Sequence, residues 1–164
     1  MTVHSFSMRA RVLTLAFALT ALPPDRAASA EPFHWTFSAE SRSLIGMEQV
    51  EEGDYAFHAV CSAPGAVKLG IGAASGVGKG EGEKVSITLS TASHSARIDG
   101  TSGNSANFEM TAGVELQATV QLTHPVFQIL LDPGPIMATG ALEQSWPDQG
   151  RTAAATKFLA ACRK

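Results

Sequence analysis

The chain has 164 residues, 45% of them hydrophobic and 16% charged, with twelve basic and fifteen acidic side chains and a net charge of −3. The length suits one domain with a modest core. Neither a basic stripe nor interleaved aromatics appear, which makes nucleic acid and anionic lipid poor partners.

The first element in chain order is an export signal. Arg9 and Arg11 precede an uncharged apolar run from Val12 to Leu22, and Ala28-Ser29-Ala30 supplies the small residues that a signal peptidase reads. That run is well short of the roughly 20 residues a membrane-crossing helix needs. The expectation is a removable signal over residues 1–30, a soluble product, periplasmic or secreted, and no transmembrane anchor after cleavage. Residues 31–164 then form a single domain. Without Arg9, Arg11, Arg26 and Asp25 it keeps nine basic and fourteen acidic side chains, a net of −5.

The chain's two cysteines, Cys61 and Cys162, stand alone near opposite ends of that domain. Metal and redox cysteines tend to come in close pairs such as C-x-x-C, whereas an isolated pair in an oxidising compartment usually closes. A Cys61–Cys162 disulfide is therefore expected. It would enclose about 100 residues, worth roughly 4.7 kcal/mol in chain-entropy arithmetic.

Phe33, Trp35 and Phe37 alternate with polar residues, the pattern of a half-buried strand. Tyr55, Phe57, Ala59 and Cys61 repeat it after an acidic turn at Glu51-Glu52-Gly53-Asp54, with Cys61 on the core face. Val67, Leu69 and Ile71 continue beyond Pro64-Gly65, predicting a hairpin. Six glycines between Gly70 and Gly82 read as a mobile connecting loop. Strand patterns resume at Val85-Ile87-Leu89, Ala96-Ile98, Ala106-Phe108-Met110 and Val114 to Leu122, with turns at Gly100 to Asn104 and Thr111 to Gly113. Pro125 opens a short helix through Leu131, a strand follows from Ile136 to Glu143, and a helix over about 148–163 starts from an Asp148 cap. Its inward face carries Ala154, Phe158, Ala161 and Cys162. The fold class is α+β: a mostly antiparallel β-sheet, sandwich or curved sheet, with one C-terminal helix pinned by the disulfide.

No constellation supplies a named chemistry. In Gly70 to Gly80, Ala73 occupies the first glycine of a phosphate loop and Gly80 replaces its Ser or Thr. Ser102 with His94 or His124 and Asp99 or Asp132 could compose a nucleophile triad on paper, but Ser102 sits in Gly-Thr-Ser-Gly rather than Gly-x-Ser-x-Gly. Asp99-Gly100-Thr101 lacks the second copy an aspartic protease needs. Glu51, Glu52 and Asp54 lack the spacing of a calcium loop. His34, His58, His94 and His124 with Met47, Met110 and Met137 show no chelating interval, although His34 and His58 would meet if their strands paired. No catalytic, metal or cofactor residue is assigned.

The early Ala59-Val60-Cys61, the β-rich middle and the closing Phe158-Leu159-Ala160-Ala161-Cys162, behind an export signal, resemble small two-cysteine exported proteins of proteobacteria. Among these are the type VI secretion-associated periplasmic proteins and the invasion-associated locus B group. The resemblance carries over no catalytic residue. The expected function is that of a non-catalytic envelope protein binding another protein or a cell-wall or other envelope component. The alternatives are an inhibitor of a cell-wall-degrading enzyme, or a hydrolase with a site around Asp99 to Ser102.

Overall fold

The computed structural model describes residues 33–48 and 54–164. The expected export signal over residues 1–30 and the Glu51-Glu52-Gly53 part of the expected acidic turn lie outside the described residues. Among those residues, nine strands form one antiparallel sheet: β1 (Phe33–Ser38), β2 (Ser43–Glu48), β3 (Phe57–Ala63), β4 (Ala66–Ile71), β5 (Lys84–Ser90), β6 (Ser95–Asn104), β7 (Val114–Gln121), β8 (Ile136–Gly140) and β9 (Gln144–Trp146). Three helices accompany them, α1 (Phe108–Thr111), α2 (Val126–Leu131) and α3 (Arg151–Cys162). The spatial order is β1-β2-β3-β4-β7-β6-β5-β8-β9, so the sheet is curved and nearly closed into a barrel rather than split into a sandwich. No helix among the described residues is long and apolar enough to cross a membrane.

The alternating faces set this architecture. Trp35, Phe57, Ala59, Cys61, Val67, Leu69, Ile71, Ile98 and Leu116 all turn to one side and are buried, together with the inward faces of α2 and α3. Strands β5, β6 and β7 follow one another through antiparallel pairings, and β4 reaches β5 by the long glycine-rich connection yet pairs with β7. This is a Greek key, and it obliges the glycine loop to pass across the end of the sheet. The loop is pinned there: Val77 N donates to Val114 O at 2.7 Å, and Gly82 N to Ser102 O at 3.0 Å. The sheet's two edges approach through Trp35 of β1 and Trp146 of β9, whose rings lie 6.5 Å apart, and Trp35 Nε1 donates to Pro147 O at 2.8 Å.

Cys61 and Cys162 form the expected disulfide, with Cα atoms 5.3 Å apart across a separation of 101 residues. It ties β3 to the last turn of α3. That helix buries Arg151, Ala154, Ala155, Phe158, Leu159 and Cys162, so the small residues allow close approach to the sheet while Phe158 and Leu159 fill the barrel.

Several elements differ from the expectation for physical reasons. Strand β2 has no clear alternation because its core face is Leu44 followed by Gly46, a slot filled by the Trp35 ring, where a Cβ would come within 2.8 Å of ring carbons. Residues Gly100 to Asn104 continue β6 instead of turning, since Thr101, Ser102, Gly103 and Asn104 all pair with β7. Ala106 and Asn107 turn into α1, which takes in Phe108 to Met110, with Met110 69% exposed and no core face to hold a strand. The Ile136 to Glu143 segment breaks at Gly140, whose φ is 103°, leaving β8 and a separate β9. Helix α3 begins at Arg151 with Gly150 as its cap, because the Asp148 carboxylate is engaged by Gly134 N at 3.0 Å.

Candidate functional site

On the sheet face opposite the core, β3, β4, β7 and β6 carry a groove of about 560 Å³. Its lining follows from register: His58 pairs with Gly70, Gly70 with Gln117, and Gln117 with Thr101, giving one row of side chains across four strands. Lys68 and Thr119 form the next row. Glu115 completes the floor.

Glycine makes the depression. A Cβ on Gly70 would lie 2.7 Å from Glu115 Cδ and 2.8 Å from Oε1, one on Gly103 would lie 2.7 Å from Gln117 Oε1, and one on Gly113 would overlap the Asp54 carboxylate. None of these three has a φ in the left-handed region. They supply space rather than conformational freedom, and each clears room for one polar side chain.

Glu115 is 9% exposed although its face is the sheet's outer one. Gln117 Nε2 donates to its Oε1 at 3.2 Å and to Asn104 O at 2.9 Å, which fixes both side chains. Burial pushes the Glu115 carboxyl above the usual carboxylate range, the negative charge of Asp54 pushes the same way, and the Gln117 bond opposes both. Asp54 is held by Ser105 Oγ, which donates to its Oδ1 at 2.8 Å. Burial also lowers the pKa of His58, whose ring centroid lies 5.2 Å from that of Tyr55. The groove thus offers a desolvated carboxyl, a neutral imidazole, threonine hydroxyls and an exposed ammonium, a set suited to recognition by hydrogen bonds and charge.

The residues singled out in the sequence are dispersed. Ser102 is 1% exposed; its Oγ donates to Val77 O at 2.5 Å and accepts from Gly80 N at 2.9 Å, so it anchors the glycine loop. His94 lies eight residues earlier, at the far end of β6, about 26 Å away at strand rise. His94 and Asp132 do meet, Nδ1 to Oδ2 at 2.6 Å, with Thr91 Oγ1 donating to the same oxygen at 2.6 Å. This cluster fastens the β5–β6 turn to the end of α2. Asp99 pairs with Arg97 at the surface, and His124 Nδ1 accepts from Val126 N at 3.2 Å, opening α2. His34 pairs with Met47 and His58 with Ile45, so β2 separates the two histidines. No group of three or more His, Cys, Asp or Glu side chains among the described residues is placed to hold a metal ion.

The glycine loop answers the phosphate-loop comparison in an unexpected way. Gly78, Gly80 and Gly82 have φ near +80°, and the loop turns backbone N–H groups inward. The anion they enclose is the chain's own: the Glu83 carboxylate accepts from Lys79 N and, at 3.0 Å, from Glu81 N. These bonds, that of Lys79 first, hold the Glu83 carboxyl below its ordinary range.

The outer-face groove escaped sequence reading because its signal is a set of glycines opposite polar residues on neighbouring strands. Only the register discloses it. No protein-family model matches the chain, and comparison with curated proteins and with solved structures returned no match.

Proposed function

We propose that the chain is an exported, periplasmic or secreted, non-catalytic envelope protein that binds another protein or an envelope component through the groove over β3, β4, β7 and β6. One observation carries this reading: Gly70 and Gly103, on two different strands, give up their side chains to leave room for Glu115 and Gln117 on a face that core packing does not require, and Gly113 leaves room for Asp54, whose charge acts on Glu115. Burying a carboxylate there opposes folding, and a ligand-binding role accounts for its retention. The sharper version is an inhibitor of a cell-wall-degrading enzyme, with the groove engaging the enzyme's surface.

A photo-crosslinking amino acid at Thr119, on the groove, tests the reading in the envelope of the native host, with one at Lys157, exposed on α3, as the control. A discrete adduct from Thr119 and none from Lys157 supports it; adducts from neither, or equally from both, overturn it. A hydrolase reading draws on the raised Glu115 carboxyl, with Asp54 as the second carboxylate. Turnover of cell-wall glycan that is abolished by Glu115→Gln would replace binding with catalysis.

A further inference from the structure

Glu115 is the most buried charge-bearing side chain that lines the groove. The residue is 9% exposed, and the hydrogen bond its carboxylate receives comes from the neutral Gln117 amide. The ion pairs among the described residues are His94–Asp132, Arg97–Asp99 and Arg151–Asp148, so Glu115 has no cationic partner within 4.0 Å. Buried carboxylates are ordinarily paired, and this one faces an open groove rather than a sealed core.

The neighbouring elements sharpen the requirement. From the segment before β3, Asp54 adds negative charge; from β3, burial lowers the pKa of His58 and so disfavours its charged form; from β7, Gln117 already spends its amide N–H groups on Glu115 and Asn104. Lys68 on β4 belongs to the next row and forms no ion pair among the described residues. The carboxylates at and beside the floor, Glu115 and Asp54, are both negative, and the group that complements them is a donor that carries positive charge.

Resting on the groove reading above, we propose that the ligand is recognised through a cationic nitrogen, an ammonium or guanidinium group seated on the Glu115 carboxylate. Charge-assisted hydrogen bonds of this kind are stronger than neutral ones and are strengthened by partial desolvation. The cation comes either from a basic side chain of a protein or from a free polyamine.

Calorimetry on the disulfide-closed protein at neutral pH tests this with arginine amide and N-acetyl-lysine amide for the first source, putrescine for the second, and N-acetylglucosamine as an uncharged control. Binding of any of the three cations and not of the sugar is expected. Preference for the amides assigns a protein side chain; preference for putrescine assigns a polyamine. Glu115→Gln should weaken binding about tenfold or more, while Lys68→Ala, which removes an exposed like charge without disturbing the core, should tighten it about twofold. Affinity should fall on acidification as Glu115 takes up its proton. Absence of cation binding, or equal binding by the Glu115→Gln variant, overturns the inference. If the Thr119 adduct persists undiminished in Glu115→Gln, the cation falls while the groove reading stands; if Thr119 yields no adduct at all, the groove reading itself has failed.

Discussion

Replacing Gly70 with alanine separates space from conformation, because its φ is ordinary and its nearest neighbours are side-chain atoms. The new Cβ would overlap the Glu115 carboxylate, lying 2.7 Å from Cδ and 2.8 Å from Oε1, while meeting no backbone atom among its three nearest neighbours. The clash is with the far end of a flexible side chain, so Glu115 should swing out into the groove and gain water. Three small terms then compete. Alanine in place of a strand glycine with ordinary φ favours folding by about 0.5–1 kcal/mol. Loss of the Gln117 hydrogen bond opposes it by about 1 kcal/mol. Rehydration of a carboxylate that burial had disfavoured adds stability of the same order. Urea unfolding of Gly70→Ala should therefore lie within about 1 kcal/mol of the parent, yet arginine amide should bind at least tenfold more weakly. A loss of 3 kcal/mol or more would mean that the glycine serves the backbone. Unchanged binding would refute the seat assigned to Glu115.

Cys61→Ser and Cys162→Ser should each destabilise by a similar few kcal/mol, with the double variant no worse than either in urea unfolding, because one bond is shared; clearly unequal losses would contradict this. Arg151→Ala should cost about 3 kcal/mol, since this fully buried guanidinium donates to the carbonyls of Leu130, Asp132 and Gly134 at the end of α2 and lies 5.9 Å from the Trp35 ring centroid; a loss under 1 kcal/mol would show that water replaces it. Stability should also respond to pH with two opposite signs. The Asp132 carboxyl is held low, by Thr91 first and His94 second, so its contribution is present above the ordinary Asp pKa and lost as pH falls through the depressed value. The Glu115 carboxyl is held high, so its contribution is present below the ordinary Glu pKa and lost as pH rises through the elevated one. Thermal unfolding against pH should accordingly lose slope on the acid side in Asp132→Asn, and Glu115→Gln should be more stable than the parent at neutral pH.

Most of the sheet was legible because its strands obey period-two alternation over a buried face. Trp35, Phe57, Cys61, Leu69, Ile87, Ile98 and Leu116 all point inward as their spacing demands. The bridge was legible from the isolation of two cysteines, neither of them in a close pair of the metal or redox kind. What failed did so where glycine carries two meanings. Gly100 and Gly103 look like turn residues but sit inside β6, where neighbouring atoms of β7 leave no room for a side chain. Gly46 hides β2 for the same reason, its vacancy being filled by an aromatic ring from another strand. The groove was out of reach because Gly70 and Gly103 acquire their purpose only once register sets them beside Glu115 and Gln117, and Gly113 only once the fold brings Asp54 against it. Ser102, prominent in its Gly-Thr-Ser-Gly setting, turns out to anchor the glycine loop, and nothing local in the sequence distinguishes that task from a reactive hydroxyl.

The most direct measurement is the titration of the Glu115 carboxyl by carbon NMR in the disulfide-closed protein, with and without arginine amide. The expected result is a midpoint above the usual glutamate range in the free protein that moves down when the cation is added. A midpoint in the ordinary range, unmoved by the cation, would contradict the claim that the Glu115 carboxylate in the glycine-cleared groove binds a positively charged group.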